Sequence, residues 1–190
     1  MKKGTKKIAI VLMMALLTVV MAACGNNENS ATDGDGLKIA IVTSPSGVDD
    51  GNFNEDNYNG ILSFIENNPT ATVKAIREET GDPAAAVQAV ADIVADYDVI
   101  VTPGFQFAGV STIAVENPDK MFIINDSEPT PVGDQTTFDN IYAMNFAEQE
   151  SGFFAGMAAA LETKSNKVAV VNGIAYPSNV NYQFGFESGV

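Results

Sequence analysis

The sequence predicts an α/β fold in which a parallel sheet is covered by helices on both faces. Two observations point to it. From Leu37 onward, strand-like and helix-like segments alternate, and the strand-like runs, such as LKIAIVT and DVIVTPG, have continuous apolar centres instead of alternating polar and apolar residues. Parallel strands need crossover helices and are buried on both faces, so they read as continuous apolar runs.

LKIAIVT at 37–43 is the first strand. Phe53 to Asn67 follows as a helix, with Ile61, Leu62, Phe64 and Ile65 partly at helical spacing. ATVKAIR at 71–77 is the second strand. Asp82-Pro83 then sets a capping carboxylate before a proline at the first helical position, and a helix over 84–95 carries Val87, Val90, Ala91 and Val94 on one face. DVIVTPG at 98–104 is a buried strand ending in a Pro-Gly turn, followed by a helix from about Ala108 to Glu116. MFIIND at 121–126 is the fourth strand, 127–139 a loop, and IYAMNF at 141–146 the fifth strand. The pattern continues with a helix over 147–163, a sixth strand VAVVNG at 168–173 and a further helix from Ser178.

On such a sheet, ligands bind beyond the carboxyl ends of the strands. The loop Ser44–Gly60, Gly104-Phe105, Asp126 and Asn172-Gly173 all fall at that edge. The first of these, SPSGVDDGNFNEDNYNG, is dense in groups that hydrogen-bond a polar, flat ligand: Asp49, Asp50, four Asn and the aromatics Phe53 and Tyr58. It matches neither GxGxxG nor GxxxxGK, and two central acids repel a pyrophosphate, which argues against a nucleotide cofactor. Asp49 and Asp50 read as ligand hydrogen-bonding groups, with a general acid/base pair as the alternative. Tyr58 is either a ligand contact or a helix residue packed on the sheet. Phe105 and Phe107 follow the Pro-Gly turn, where an aromatic faces either cleft or core. Asp126, ending an apolar strand at the ligand edge, reads as a binding residue. Glu78-Glu79 and Glu148–Glu150 read as solvated faces or caps.

Composition limits the chemistry. Hydrophobic residues make up 46% and charged residues 18% of 190 residues, the profile of a globular chain. One cysteine excludes an internal disulfide, and the lack of histidine removes the common zinc sites and His-based triads. Lys2, Lys3, Lys6 and Lys7 precede an apolar run from Ile8 to Ala23, which at sixteen residues is short for a spanning helix and has the flanks of an export signal. Without 1–23, 6 basic residues face 24 acidic ones, a net charge of −18 that repels nucleic acid and anionic lipid. Met21-Ala22-Ala23-Cys24 resembles the lipobox of bacterial lipoproteins. That resemblance implies a signal peptide over 1–23, lipidation at Cys24 by acyl chains such as palmitate, and a location on the extracytoplasmic face of the cell membrane. Two acyl chains suffice for stable anchoring. Residues 24–36, rich in Gly, Asn and Asp, form a flexible tether.

The runs GVDDGNFNEDNYNG, TPGFQF, ENPDKMFIINDSE, NIYAMNFAEQESGFFAGMAAAL and KVAVVNGIAYPSNVNYQFGFESG, in that order over 37–190, resemble the basic membrane protein or PnrA-like family. These are bacterial lipoproteins that serve as substrate-binding components of ABC importers. The resemblance implies a type I periplasmic-binding-protein fold of two α/β lobes, with 37–144 as the first lobe and 145–190 as the beginning of a second. The family continues for roughly as long again, so the resemblance implies a chain truncated within its second lobe. It also implies a nucleoside, most often a purine nucleoside, as ligand, no cofactor and no catalysis, and an ABC permease and its ATPase as partners. Carried over residue by residue, Asp50 with Asn52 supplies the acid and amide after the first strand. Tyr58 stacks on the base, Phe105 is the aromatic after the third strand, Asp126 holds ribose hydroxyls, and Tyr182 is the opposing aromatic of the second lobe. The alternatives are a secreted enzyme acting on nucleosides or sugars through Asp49, Asp50 or Asp126, a receptor for another small ligand such as a sugar, and a lipoprotein with only an adhesion or envelope role.

Overall fold

The computed structural model describes residues 36–190. The signal segment, Cys24 and all of the tether except Gly36 lie outside the described residues.

Five strands form one sheet: β1 (Lys38–Thr43), β2 (Thr72–Arg77), β3 (Val99–Pro103), β4 (Met121–Asn125) and β5 (Ile141–Met144), in the order β2-β1-β3-β4-β5. Every pairing is parallel. Successive side chains of a strand point to opposite faces, and the core divides accordingly. Val42, Ile100, Phe122 and Ile124 face α2 (Pro83–Ala91), a 3-10 turn (Phe105–Val110) and α3 (Ser111–Glu116). Ile39, Ile41 and Val101 face α1 (Phe53–Asn67) through Ile61, Tyr58 and Ile65. Phe107 and Phe122 are fully buried on the first face, and burying a side chain of that size contributes about 1.5–3 kcal/mol.

The expected elements fall close to their places. The carboxylate of Asp82 accepts from the N–H groups of Ala84 (2.8 Å) and Ala85 (3.0 Å), with Pro83 at the helix start. This satisfies donors that no helix can satisfy internally. α2 ends at Ala91, earlier than the periodicity suggests, and the chain tightens into a 3-10 turn over Val94–Asp96 before entering β3.

α4 (Glu148–Glu162) and α5 (Pro177–Gly189) pack closely on each other. A methyl group on Gly152 would overlap the carbonyl of Tyr182, and one on Gly156 the carbonyl of Phe186. From the other helix, Gly185 meets the carbonyl of Gln149 and Gly189 that of Phe153. Four glycines, two per helix and four residues apart, bring the backbones into direct contact. This accounts for the EQESGFFAG and FGFESG motifs in packing terms.

The sixth strand expected at 168–173 does not form. These residues are irregular, and Val171 is 93% exposed. An apolar, β-branched run becomes a strand only where a neighbour pairs with its N–H and C=O groups. No strand among the described residues lies beside it.

Candidate functional site

In a sheet of order 2-1-3-4-5 the connections from β1 and β3 leave in opposite directions, and a crevice opens between their carboxyl ends. A cleft of about 390 Å³ lies there, within the size range of small-molecule sites. The β1–α1 loop contributes Ser44, Ser46, Asp50, Phe53 and Asn54. The β2–α2 loop contributes Gly81, the end of β3 Pro103 to Gln106, and the end of β4 Asp126.

Each wall is fixed by local hydrogen bonds. The Asp50 carboxylate accepts from the N–H groups of Asn52 (3.0 Å), Glu55 (3.1 Å) and Asn54 (3.3 Å) and so caps α1. Partial desolvation, the largest single influence, pushes its carboxyl up, but the N–H groups of Glu55, Asn52 and Asn54 together outweigh it and hold it below the ordinary value. Asn54 is buried, and its amide donates to the Ser44 hydroxyl (3.0 Å), tying the two ends of the loop together. Across the cleft, Gly104 has a φ of +109°, a region open to glycine alone, and its N–H donates to the Asn125 carbonyl (2.9 Å). That turn starts the 3-10 segment, which sends Phe105 to the cleft and Phe107 into the core.

Asp126 has a φ of +63°, and its N–H donates to the Met144 carbonyl at the end of β5 (2.8 Å). Burial, and secondarily the nearby Glu148 carboxylate, raises its carboxyl above the ordinary value. A group in that state gains from a ligand donor, because a hydrogen bond to the carboxylate replaces the water it has lost.

Of the residues singled out in the sequence, Asp50, Phe105 and Asp126 come together in this cleft. Asp49 and Asn52 are exposed and do not line it. Tyr58 lies away from it, packed with Ile61 and Ile65 on the stripe of α1 that covers β1. Tyr182 is half-buried in α5, where its carbonyl meets Gly152, and it does not line the cleft. Phe53 stands at the cleft wall instead, and Tyr176, six residues before Tyr182, stacks on Phe105. Glu78 is a correction as well. It is buried, and its carboxylate accepts from the Thr80 hydroxyl (2.6 Å) and the N–H groups of Thr80 (2.7 Å) and Gly81 (2.5 Å). The Thr80 hydroxyl, and after it the backbone donors, hold its carboxyl low against desolvation. Glu78 therefore shapes the loop that presents Gly81, while Glu79 is exposed and pairs with Arg77 (3.1 Å). The Ser-rich start of the β1 loop and the Asn54 that follows Phe53 were the signals for the remaining wall residues.

A larger cavity, about 630 Å³, lies on the α1 face of the sheet and is lined chiefly by apolar side chains such as Ile39, Val101, Ile123 and Met144. It has few convergent polar groups, so the smaller cleft is the better ligand site.

Residues 37–190 match the family profile described as "ABC transporter substrate-binding protein PnrA-like". The chain belongs to this PnrA-like family. It is 29% identical over 197 residues to a protein of Lactococcus lactis subsp. cremoris named ABC transporter nucleoside-binding protein BmpA, covering 97% of this chain and 53% of that one. It is 25% identical over 186 residues to basic membrane protein A of Borreliella burgdorferi, covering 95% and 51%. The PnrA-like chain thus spans about half the length of the curated relatives it matches. Its fold matches solved ABC solute-binding proteins from Aeropyrum pernix (TM-score 0.65, 20% identity, covering 80% of this chain and 42% of that one) and Burkholderia multivorans (0.59, 18%, 82% and 56%). The family is one of solute-binding proteins, not enzymes. Among the described residues, no helix is long and apolar enough to cross a membrane.

Proposed function

We propose that this chain is the ligand-contacting portion of a lipid-anchored receptor that binds a nucleoside, most favourably a purine nucleoside, and delivers it to an ABC permease. The observation that carries this reading is the convergence, at the β1/β3 crevice, of the aromatics Phe53 and Phe105 with the acceptors Asp126 and Ser44. A nucleoside is a flat apolar ring joined to a polar sugar, and the cleft offers rings for the one and oxygen acceptors for the other. In this reading Phe105 takes the base-stacking role, Asp126 the sugar hydroxyls, and Asp50 mainly fixes the wall, since three backbone donors already occupy its oxygens. The same donors hold the Asp50 carboxyl below its ordinary value and so make it a poor general base, which weakens an enzymatic reading through that residue. Anchoring through Cys24 and the division into lobes at about residue 145 belong to the same proposal.

The test is to incubate the chain with guanosine, inosine, adenosine and cytidine. Saturable binding of one ligand per chain, with the nucleoside recovered unchanged, is expected. Turnover to base and sugar would favour the enzymatic alternative, and the absence of calorimetric binding to every nucleoside would remove the receptor reading.

A further inference from the structure

Two polar side chains of the cleft are more than nine-tenths buried, Asn54 (3% exposed) and Gln106 (7% exposed). Both are amides, and an amide shows a ligand its donor or its acceptor according to which end is already engaged. The Asn54 amide donates to the Ser44 hydroxyl, but a hydroxyl can also donate, so that contact admits either orientation of Asn54. Gln106 has no such freedom. Its Nε2 donates to the Pro103 carbonyl (3.3 Å), which can only accept, and turning the amide over would set two oxygens against each other. Gly104 holds the amide in that place, because a β-carbon there would meet Oε1, Nε2 and the carboxamide carbon of Gln106. Among the described residues, the one side-chain oxygen both unpartnered and shut away from solvent is Oδ1 of Asn125. The Gln106 Oε1, which accepts from no described group, is therefore open to the cleft that the residue lines. No Lys or Arg stands among the described residues lining that cleft, so the ligand must supply the donor.

We propose that Gln106 determines which base the cleft accepts: its Oε1 takes a hydrogen bond from the N1–H of a 6-oxopurine stacked on Phe105. This rests on the nucleoside reading above, with the sugar on Asp126. Phe53 and Phe105 are half-buried and form walls, whereas Gln106 is buried deeper and forms floor. A ring lying on a wall turns one edge to that floor. A purine with a bare N1 brings a lone pair to the oxygen and leaves a desolvated acceptor without a donor, which weakens binding roughly 5- to 150-fold. Sites built to hydrogen-bond one ligand group discriminate against analogues without it for this reason.

Inosine and purine riboside share sugar and ring system and differ at C6 and N1, where inosine carries a carbonyl and an N–H and purine riboside neither. Calorimetric titration of the parent chain is expected to show inosine bound roughly 5- to 150-fold more tightly. Gln106→Met, close in shape but without the oxygen, should bring the two affinities together while thermal unfolding shows that the variant is folded. Gln106→Glu keeps an oxygen at that place and should keep the preference. Equal affinities in the parent, or a preference that survives Gln106→Met, overturns the role of Gln106 and leaves the nucleoside reading standing. If Gln106→Met does not fold, Gln106→Glu decides: a kept preference supports the role and a lost one overturns it. A parent that binds neither compound, nor guanosine, adenosine or cytidine, refutes the nucleoside reading and the role of Gln106 with it.

Discussion

Phe107→Ala is expected to destabilise the chain by about 3–5 kcal/mol, the usual cost of deleting a buried phenylalanine ring. The ring is fully buried in the cluster that contains Val42, Val90, Ile100, Phe122 and Ile124, beneath the 3-10 turn that follows β3. Removing it takes away its transfer free energy and leaves a void that a five-stranded sheet cannot collapse around without shifting α2 and α3. In thermal unfolding followed by circular dichroism, the midpoint should fall on the order of 10 °C for a chain of this size. A fall of only a degree or two would mean that the ring is not packed as described. The same substitution two residues earlier should be far milder for stability, because Phe105 lies on the cleft wall.

Gly152→Ala or Gly156→Ala is expected to force α4 and α5 apart. An added methyl group at either position meets a backbone carbonyl of α5, and a backbone atom cannot rotate away as a side-chain end does. Overpacking of this kind costs about 1–3 kcal/mol per site, against which the ~0.5–1 kcal/mol of helix propensity gained from replacing glycine is too small to compensate. Amide hydrogen exchange should report the loss as faster exchange along Glu148–Glu162 and Pro177–Gly189, with β1 to β4 unaffected. Alanine at Gly60, where nothing lies within 4 Å of an added methyl, serves as the control and should leave α4 and α5 unchanged.

The sheet was legible because its physics is local and periodic. Apolar runs at Ile39–Val42, Ile100–Val101 and Phe122–Ile124 read as buried strands between helices, and the Asp82-Pro83 pair marks a helix start by the donors it satisfies and the donor it lacks. VAVVNG carries the same signal and still fails, because a strand depends on a partner that its own sequence does not contain. The site was legible as a place more than as a set of side chains. Loop positions at the carboxyl edge gave Asp50, Phe105 and Asp126, whereas the choice between Phe53 and Tyr58, or between Tyr176 and Tyr182, turns on which face of a helix looks into the crevice. That angle is fixed by the packing of Tyr58, Ile61 and Ile65 on β1 and by the glycine contacts of α5. The burial of Glu78 was hidden for a similar reason, since its partners Thr80 and Gly81 are reached only when the loop folds back on it.

In the proposed complex a flat ligand ring rests on Phe105. Calorimetric titration of the parent chain and of Phe105→Ala with guanosine, inosine, adenosine and cytidine addresses this directly. Base-on-aromatic stacking is worth about 1–3 kcal/mol, so the alanine variant should bind the preferred nucleoside roughly 5- to 150-fold more weakly while its thermal unfolding stays near that of the parent. Equal affinity of parent and variant for every nucleoside bound would contradict the account.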